Sequence, residues 1–405
     1  VIHKEYALEL QSGRDAAVPV KKVNTYVPTL IQSPLSLVLL YKFRVQILNK
    51  LKLIMFGRSK PPCPQRGVGS NDAGAFIRMT SLKTLKGRLI IAVLFLVFVA
   101  LPTRSQQGWT AARIAPPKQD LNTVFFLDSK RGWVGGDNGF LSRTDDGGHS
   151  WVQQIVATTD AINDIYFRDK EAGFLIAGNA IFATRDNGTR WTEVRRFLPK
   201  EFEGADVELY SVRFSSKKKG WVVGSVSRRD HVIDSILLNT ENGGETWQRQ
   251  RAPSRLELIH IDFANDKRGW IAGTAGTILA TVDGGQTWTR QEAGTTATIY
   301  HIDFRSEKKG LAVGERGTIL RTANGGATWI PVAVKVRSTL LNVQFVDDDR
   351  GWAVGRGGTV LRTDDAGVTW IEQESGTKQN LYGLYFVKKL GWAVGGDGML
   401  LRYEL

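Results

Sequence analysis

A glycine followed by an aromatic residue or leucine recurs along residues 132–392, at Gly132-Trp133, Gly173-Phe174, Gly220-Trp221, Gly269-Trp270, Gly310-Leu311, Gly351-Trp352 and Gly391-Trp392. The seven pairs are spaced by 41, 47, 49, 41, 41 and 40 residues, the length of a four-stranded propeller blade. Such a unit cannot cover its own apolar faces, so the repeats must sandwich one another. Residues 299–332 give the pattern: an inner strand Ile299-Tyr300-His301-Ile302-Asp303-Phe304, a turn, Gly310 to Gly314, then Thr318 to Thr322, and an outer strand from Trp329. Apolar runs of four to six residues between glycine turns fit strands covered on both faces, and helical periodicity is absent.

Between the third and fourth strands lies T-x-D-x-G-x-T-W or a variant of it, the Asp-box. It carries Asp146, Asp186, Asn242, Asp283, Asn324 and Asp365 in register, with Arg190 in the hydroxyl place of the second copy. Asp or Asn can hydrogen-bond the backbone of its own turn, Gly takes the positive φ, and Trp starts the next strand as a buried side chain. These carboxylates therefore read as structural, not as catalytic or metal-binding groups. The seventh repeat stops after its third strand, and Trp109 lies 42 residues before Trp151, one repeat away. The expected fold is all-β: a seven-bladed β-propeller over residues 106–405, its last blade closed by the N-terminal strand.

Ahead of it, residues 79–105 read as a signal peptide or N-terminal anchor: Lys83, Lys86 and Arg88, then thirteen uncharged residues from Leu89 to Leu101. Thirteen residues span about 20 Å as a helix, short of a hydrocarbon core of about 30 Å, which favours cleavage over a lasting span. Cys63 is the only cysteine and precedes the run, so no lipoprotein cysteine, Cys-based zinc cluster or redox pair is expected. Residues 1–78 are expected to be a disordered leader, with translation starting at Met79. The net charge of +14 suggests nucleic acid, but residues 1–105 hold 16 basic against 4 acidic side chains, leaving 38 against 36 on the repeats. A nucleic-acid partner is not expected for a nearly neutral folded part.

The phrases GWAVGRGGTVLRTDDAGVTW and GWIAGTAGTILATVDGGQTW resemble the bacterial-neuraminidase-repeat propellers, most closely the photosystem II stability and assembly factor family, throughout residues 106–405. The resemblance implies a non-catalytic, exported, lumenal or periplasmic factor. Such a factor binds a newly made membrane-protein subunit and uses no cofactor. The family's arginine patch does not map onto this chain residue by residue.

In a propeller, the outer-to-inner connections share one face with the second-to-third turns, and the Asp-boxes lie on the other. From Trp191 to Trp247 the spacing is 56 residues instead of 41, and both insertions fall on the first face. One contains Lys200, Glu201 and Phe202, the other Arg228, Arg229 and His231. Insertions on a rigid repeat scaffold are where binding evolves; an arginine pair can hold carboxylates and Phe202 can anchor a partner. A second candidate is the third position of the inner strands, small or polar in every blade, which includes Asp164, His260, His301 and Asn342. These residues are expected to line a water-filled channel, with a polar ligand beside the two histidines as the sharper alternative and no metal site. Lys and Arg just before six of the seven glycine pairs form a basic rim on the Asp-box face, interleaved with acids and read as solvated turns.

The rival class is a sialidase-like glycoside hydrolase or a carbohydrate-binding propeller. Arg113-Ile114-Ala115-Pro116 matches the sialidase F-R-I-P signature imperfectly, no Tyr-Glu nucleophile pair stands out, and sialidases have six blades. The G-x-S-x-G and P-loop patterns fail too, because the glycines serve turns.

Overall fold

The computed structural model describes residues 108–404. The leader and the export signal expected over residues 1–105 lie outside them. The described residues form seven four-stranded antiparallel sheets, each a blade. In blade five the strands are Ile299–Phe304, Gly310–Gly314, Ile319–Thr322 and Ile330–Pro331. Every inner strand carries a one-residue register shift near its start, as between Ile299 and His301. Beyond this bulge the third and fifth positions share one side of the strand and the fourth and sixth the other. The fourth and sixth positions, Ile302 and Phe304 here, are buried between blades.

Blades are joined by an aromatic contact repeated around the ring. Trp270 of blade four stacks on Phe304 of blade five at 3.4 Å, and its indole N–H donates to the carbonyl of Gly325 in that blade's Asp-box at 3.1 Å. Trp392 of blade seven stacks likewise on Phe126 of blade one at 3.5 Å and donates to Gly147. The next glycine of the turn allows this approach. Gly285 has φ +81°, and a Cβ there would lie 2.4 Å from the Trp221 ring, so only glycine satisfies both the backbone and the neighbouring indole. Blade two uses Phe174, which stacks on Phe214 at 4.5 Å, where most other blades use Trp.

Blade seven is composite: Leu381–Val387, Leu390–Gly395 and Met399–Glu404 are completed by Thr110–Arg113 from the other end of the chain. Thr110 pairs with Arg402 and Arg113 with Met399. Trp109 is buried against Phe386 and Tyr403. At the far end Arg113 ion-pairs with Asp397, whose carboxylate also accepts the Lys118 N–H at 2.9 Å. All four strand residues are exposed, so the closure rests on the ladder, the Asp397 contacts and one buried indole.

The insertions of blade three take a form that the repeat pattern did not indicate. The second is not a loop: the strands Gly220–Arg228 and His231–Thr240 run on as a hairpin to a two-residue turn at Arg229 and Asp230, both at positive φ. The ladder runs on through Val226 with Asp234, Ser227 with Val232 and Arg228 with His231, with a bulge at Ile233. The first forms a short 3-10 turn, Pro199–Phe202, and an inner strand that starts early, Asp206–Phe214.

Deleting residues 106–113 should remove the closing strand and Trp109 together and leave the domain unfolded or aggregated. Trp109→Ala alone should cost about 3–5 kcal/mol. Thermal denaturation of both variants checks this, and an unchanged midpoint for the deletion would count against closure.

Candidate functional site

The Asp-boxes can be set aside first. In blade four, Asp283 accepts hydrogen bonds from the Thr281 hydroxyl at 2.7 Å, the Thr287 N–H at 2.9 Å and the Thr287 hydroxyl at 2.5 Å. Those bonds, led by the ones from Thr287, hold its carboxyl down at about 2. Asp146 and Asp365 make the same set. At Asp186 the Arg190 side chain replaces the hydroxyl, donating at 3.1 Å. Asn242 and Asn324 build the turn without a charge, so the position needs an acceptor, not an acid.

Around the propeller axis the third and fifth inner-strand positions form one polar network. Asp164 accepts from the Ser211 hydroxyl at 3.0 Å, the Val212 N–H at 2.9 Å and the Arg213 guanidinium at 2.7 Å, all from the next blade. Arg213 also donates to His260 Nε2 at 3.1 Å. The Ile302 N–H points at His260 Nδ1 at 3.5 Å, so donors face both nitrogens of the ring. His260 stacks on His301 at 3.6 Å. Burial, with the Arg213 charge behind it, holds both imidazoles well below the usual histidine range. Asn342 lies at the same position of blade six, and its Oδ1 is buried without a hydrogen bond.

The fifth positions were missed in the sequence, although their apolar neighbours at four and six already imply that they share the side of the third. Asp262 accepts the Phe304 N–H and Asp303 the Phe345 N–H, each at 2.8 Å. Gln344 accepts the Phe386 N–H at 2.6 Å. Burial raises the Asp262 carboxyl; burial and the Asp262 charge push Asp303 up to about 8. The rest of the ring is aromatic, Tyr385 and Tyr166 flanking Phe125 at 4.9 and 6.0 Å. Among the described residues no group of three or more His, Cys, Asp or Glu is arranged to hold a metal ion.

The insertions of blade three do come together. Arg228 donates to the Glu203 carbonyl at 3.0 Å, tying hairpin to 3-10 turn. The structure corrects the role of two candidates here. Phe202 is not a free anchor: it packs against the core of blades two and three, meets Phe197 edge-on and lies under the Arg249 guanidinium at 5.2 Å. Its neighbours are apolar and it fills the base of the insertion. Glu201 is spent as well, accepting the Leu198 N–H at 2.9 Å and pairing with Arg195, which holds its carboxyl below the usual range. Lys200, Arg229 and His231 are exposed. Beside them the sequence reading overlooked Leu198, Ile233 and Leu256, exposed by 39, 42 and 37%, and the exposed cations Arg251 and Arg255. Only the positions of the insertions signalled these residues, since the turn geometry that turns them outward is not written in residue type.

Asp303 takes up its proton on folding. Its folded-state value lies above that of an unfolded aspartate, so its contribution is fully present below about pH 4 and is lost as pH rises through about 8. Asp303→Asn keeps the acceptor for Phe345 and removes the titration. The variant should gain several degrees on the parent at pH 8.5 compared with pH 4.5; an equal midpoint shift at both pH values would refute this.

The comparisons agree with this architecture. The family model described as photosynthesis system II assembly factor YCF48 matches residues 101–195, 151–257 and 330–404, more than half of the chain. A photosystem II assembly lipoprotein Ycf48 from Synechococcus sp. strain CC9902 is 27% identical over 156 residues, which cover 38% of this chain and 43% of that protein's length. The chain thus aligns with less than half of that curated relative. A solved structure of YCF48 bound to a D1 peptide superposes with a TM-score of 0.61 at 18% identity, covering 75% of this chain and 97% of that one. Virginiamycin B lyase from Staphylococcus aureus reaches the same TM-score at 12% identity, covering 73% and 99%. At such identities the two structures speak for the fold alone.

Proposed function

Because the chain belongs to the photosynthesis system II assembly factor YCF48 family, we propose that it is an exported, non-catalytic propeller that binds a membrane-protein subunit during assembly. The partner class follows the D1 peptide named in the YCF48 structure. The location is periplasmic or lumenal, with residues 89–101 as the contact to the membrane when they are retained.

The observation that carries the binding site is the joined pair of insertions in blade three, which among the described residues is lengthened both before its inner strand and between its second and third strands. It sets Arg228, Arg229, Lys200 and His231 beside exposed Leu198 and Ile233. Cations on a rigid hairpin with apolar side chains between them suit an extended segment that carries both carboxylates and apolar residues. A non-catalytic reading is supported by the use of the acids: the Asp-box carboxylates are bonded within their own turns, and the axial ones accept backbone N–H groups of the next blade.

Titration of a fluorescent D1 peptide against the purified protein tests the reading. Arg228→Glu with Arg229→Glu should weaken binding at least about tenfold, roughly 1.4 kcal/mol, with an unchanged melting midpoint. Undiminished affinity would remove the site from blade three, and no binding by the parent would remove this peptide as partner.

A further inference from the structure

The first-to-second turns on the Asp-box face repeat a feature that the binding reading does not use. The residue two before each blade glycine is Lys130, Glu171, Lys218, Lys267, Lys308, Asp349 and Lys389 in blades one to seven, lysine in five of seven. The five lysines are exposed. Their backbone is fixed: the carbonyls of Lys130, Lys218, Lys267 and Lys308 each accept an Asp-box glycine N–H at 2.8–2.9 Å. The residue after three of them is paired, Arg131 with Asp128, Lys219 with Glu241 and Arg268 with Glu307. The five lysines have no such partner among the described residues. Repeat symmetry thus places ammonium groups without an ion-pair partner among the described residues at equivalent vertices of one face, broken at Glu171 and Asp349, with exposed acids such as Asp266 and Glu307 between them. Val282 and Val368, at the tips of two Asp-boxes, are 61 and 51% exposed on the same face.

The chain also arrives on that face. The closing strand begins where Thr110 pairs with Arg402, two residues short of Glu404, and leaves at Arg113 beside Met399 and the opposite face. The apolar run ends at Leu101, seven residues before Gly108, a reach of at most about 25 Å. A chain held in a membrane by that run has its Asp-box face brought up to the headgroups at blade seven, next to Lys389.

We propose that the Asp-box face, through Lys130, Lys218, Lys267, Lys308 and Lys389, lies against an anionic lipid surface and so presents the insertions of blade three away from the bilayer. This rests on the membrane contact proposed above for its tether. Single lysines attract an anionic leaflet weakly and only within a Debye length, but a short tether raises their effective concentration at the surface, so that several weak contacts can act together.

The test uses the full chain with vesicles of phosphatidylcholine alone or with about one third phosphatidylglycerol, read by lysine acetylation and mass spectrometry. The five lysines should be modified at least about threefold more slowly on the anionic vesicles only, while Lys200 and Lys335 on the other face react alike on both. Lys218→Glu, Lys267→Glu and Lys389→Glu combined should abolish protection of Lys130 and Lys308. Equal modification on both vesicle types, or protection of Lys200 and Lys335 instead, would overturn the proposal. Flotation in high salt reports the tether separately: loss of salt-resistant flotation with protection intact at low salt would sink the tether and uphold the lysine face.

Discussion

Four of the seven blades hold inner-strand backbone groups that are satisfied only from the blade before them. The N–H groups of Val212, Phe304, Phe345 and Phe386 are accepted by side chains of the preceding blade, Asp164, Asp262, Asp303 and Gln344. A buried N–H without an acceptor is costly, so an inner strand is stable only with its neighbour in place. The Trp-to-glycine contacts at the other face impose the same dependence. Stability is therefore a property of the ring, and acids near the axis are tolerated because they are the acceptors that the ring needs.

This constraint separates two kinds of surface. Positions that join blades are fixed by neighbours on both sides, and burial, with the Arg213 charge, holds the two histidines there well below their usual range. The blade-three hairpin projects beyond the last blade-to-blade contact and carries cations on a stiff two-stranded stem. Changes on the hairpin therefore leave the contacts between blades in place.

The sequence disclosed the repeat, the composite blade and the faces, because each follows from a period or from a turn residue with one conformational role. It disclosed less of the site. Phe202 reads as an anchor in a polar insertion, yet its ring meets the nearby Phe197 and lies under Arg249, which comes from a strand distant in sequence. Asp262 and Asp303 went unread although they stand two residues after His260 and His301 in regular register, on the same side of the strand. What the strand pattern does not record is that their carboxylates are spent on N–H groups of the next blade, a contact made only when the ring closes. Leu198 and Ile233 were passed over because exposure of an apolar side chain depends on how far the hairpin outruns its neighbours.

The composite blade bears on when the molecule becomes itself. Its closing ladder joins residues as far as 292 positions apart, so a chain delivered from its N-terminus carries Trp109 across long before Leu401 follows. Until the last residues arrive, one edge of blade seven and one face of its neighbours stay bare, and non-local pairing of this kind is slow. A chain exported as proposed therefore crosses as an open thread and acquires its circular form only in the compartment that receives it, which keeps the finished wheel from jamming the route by which it came.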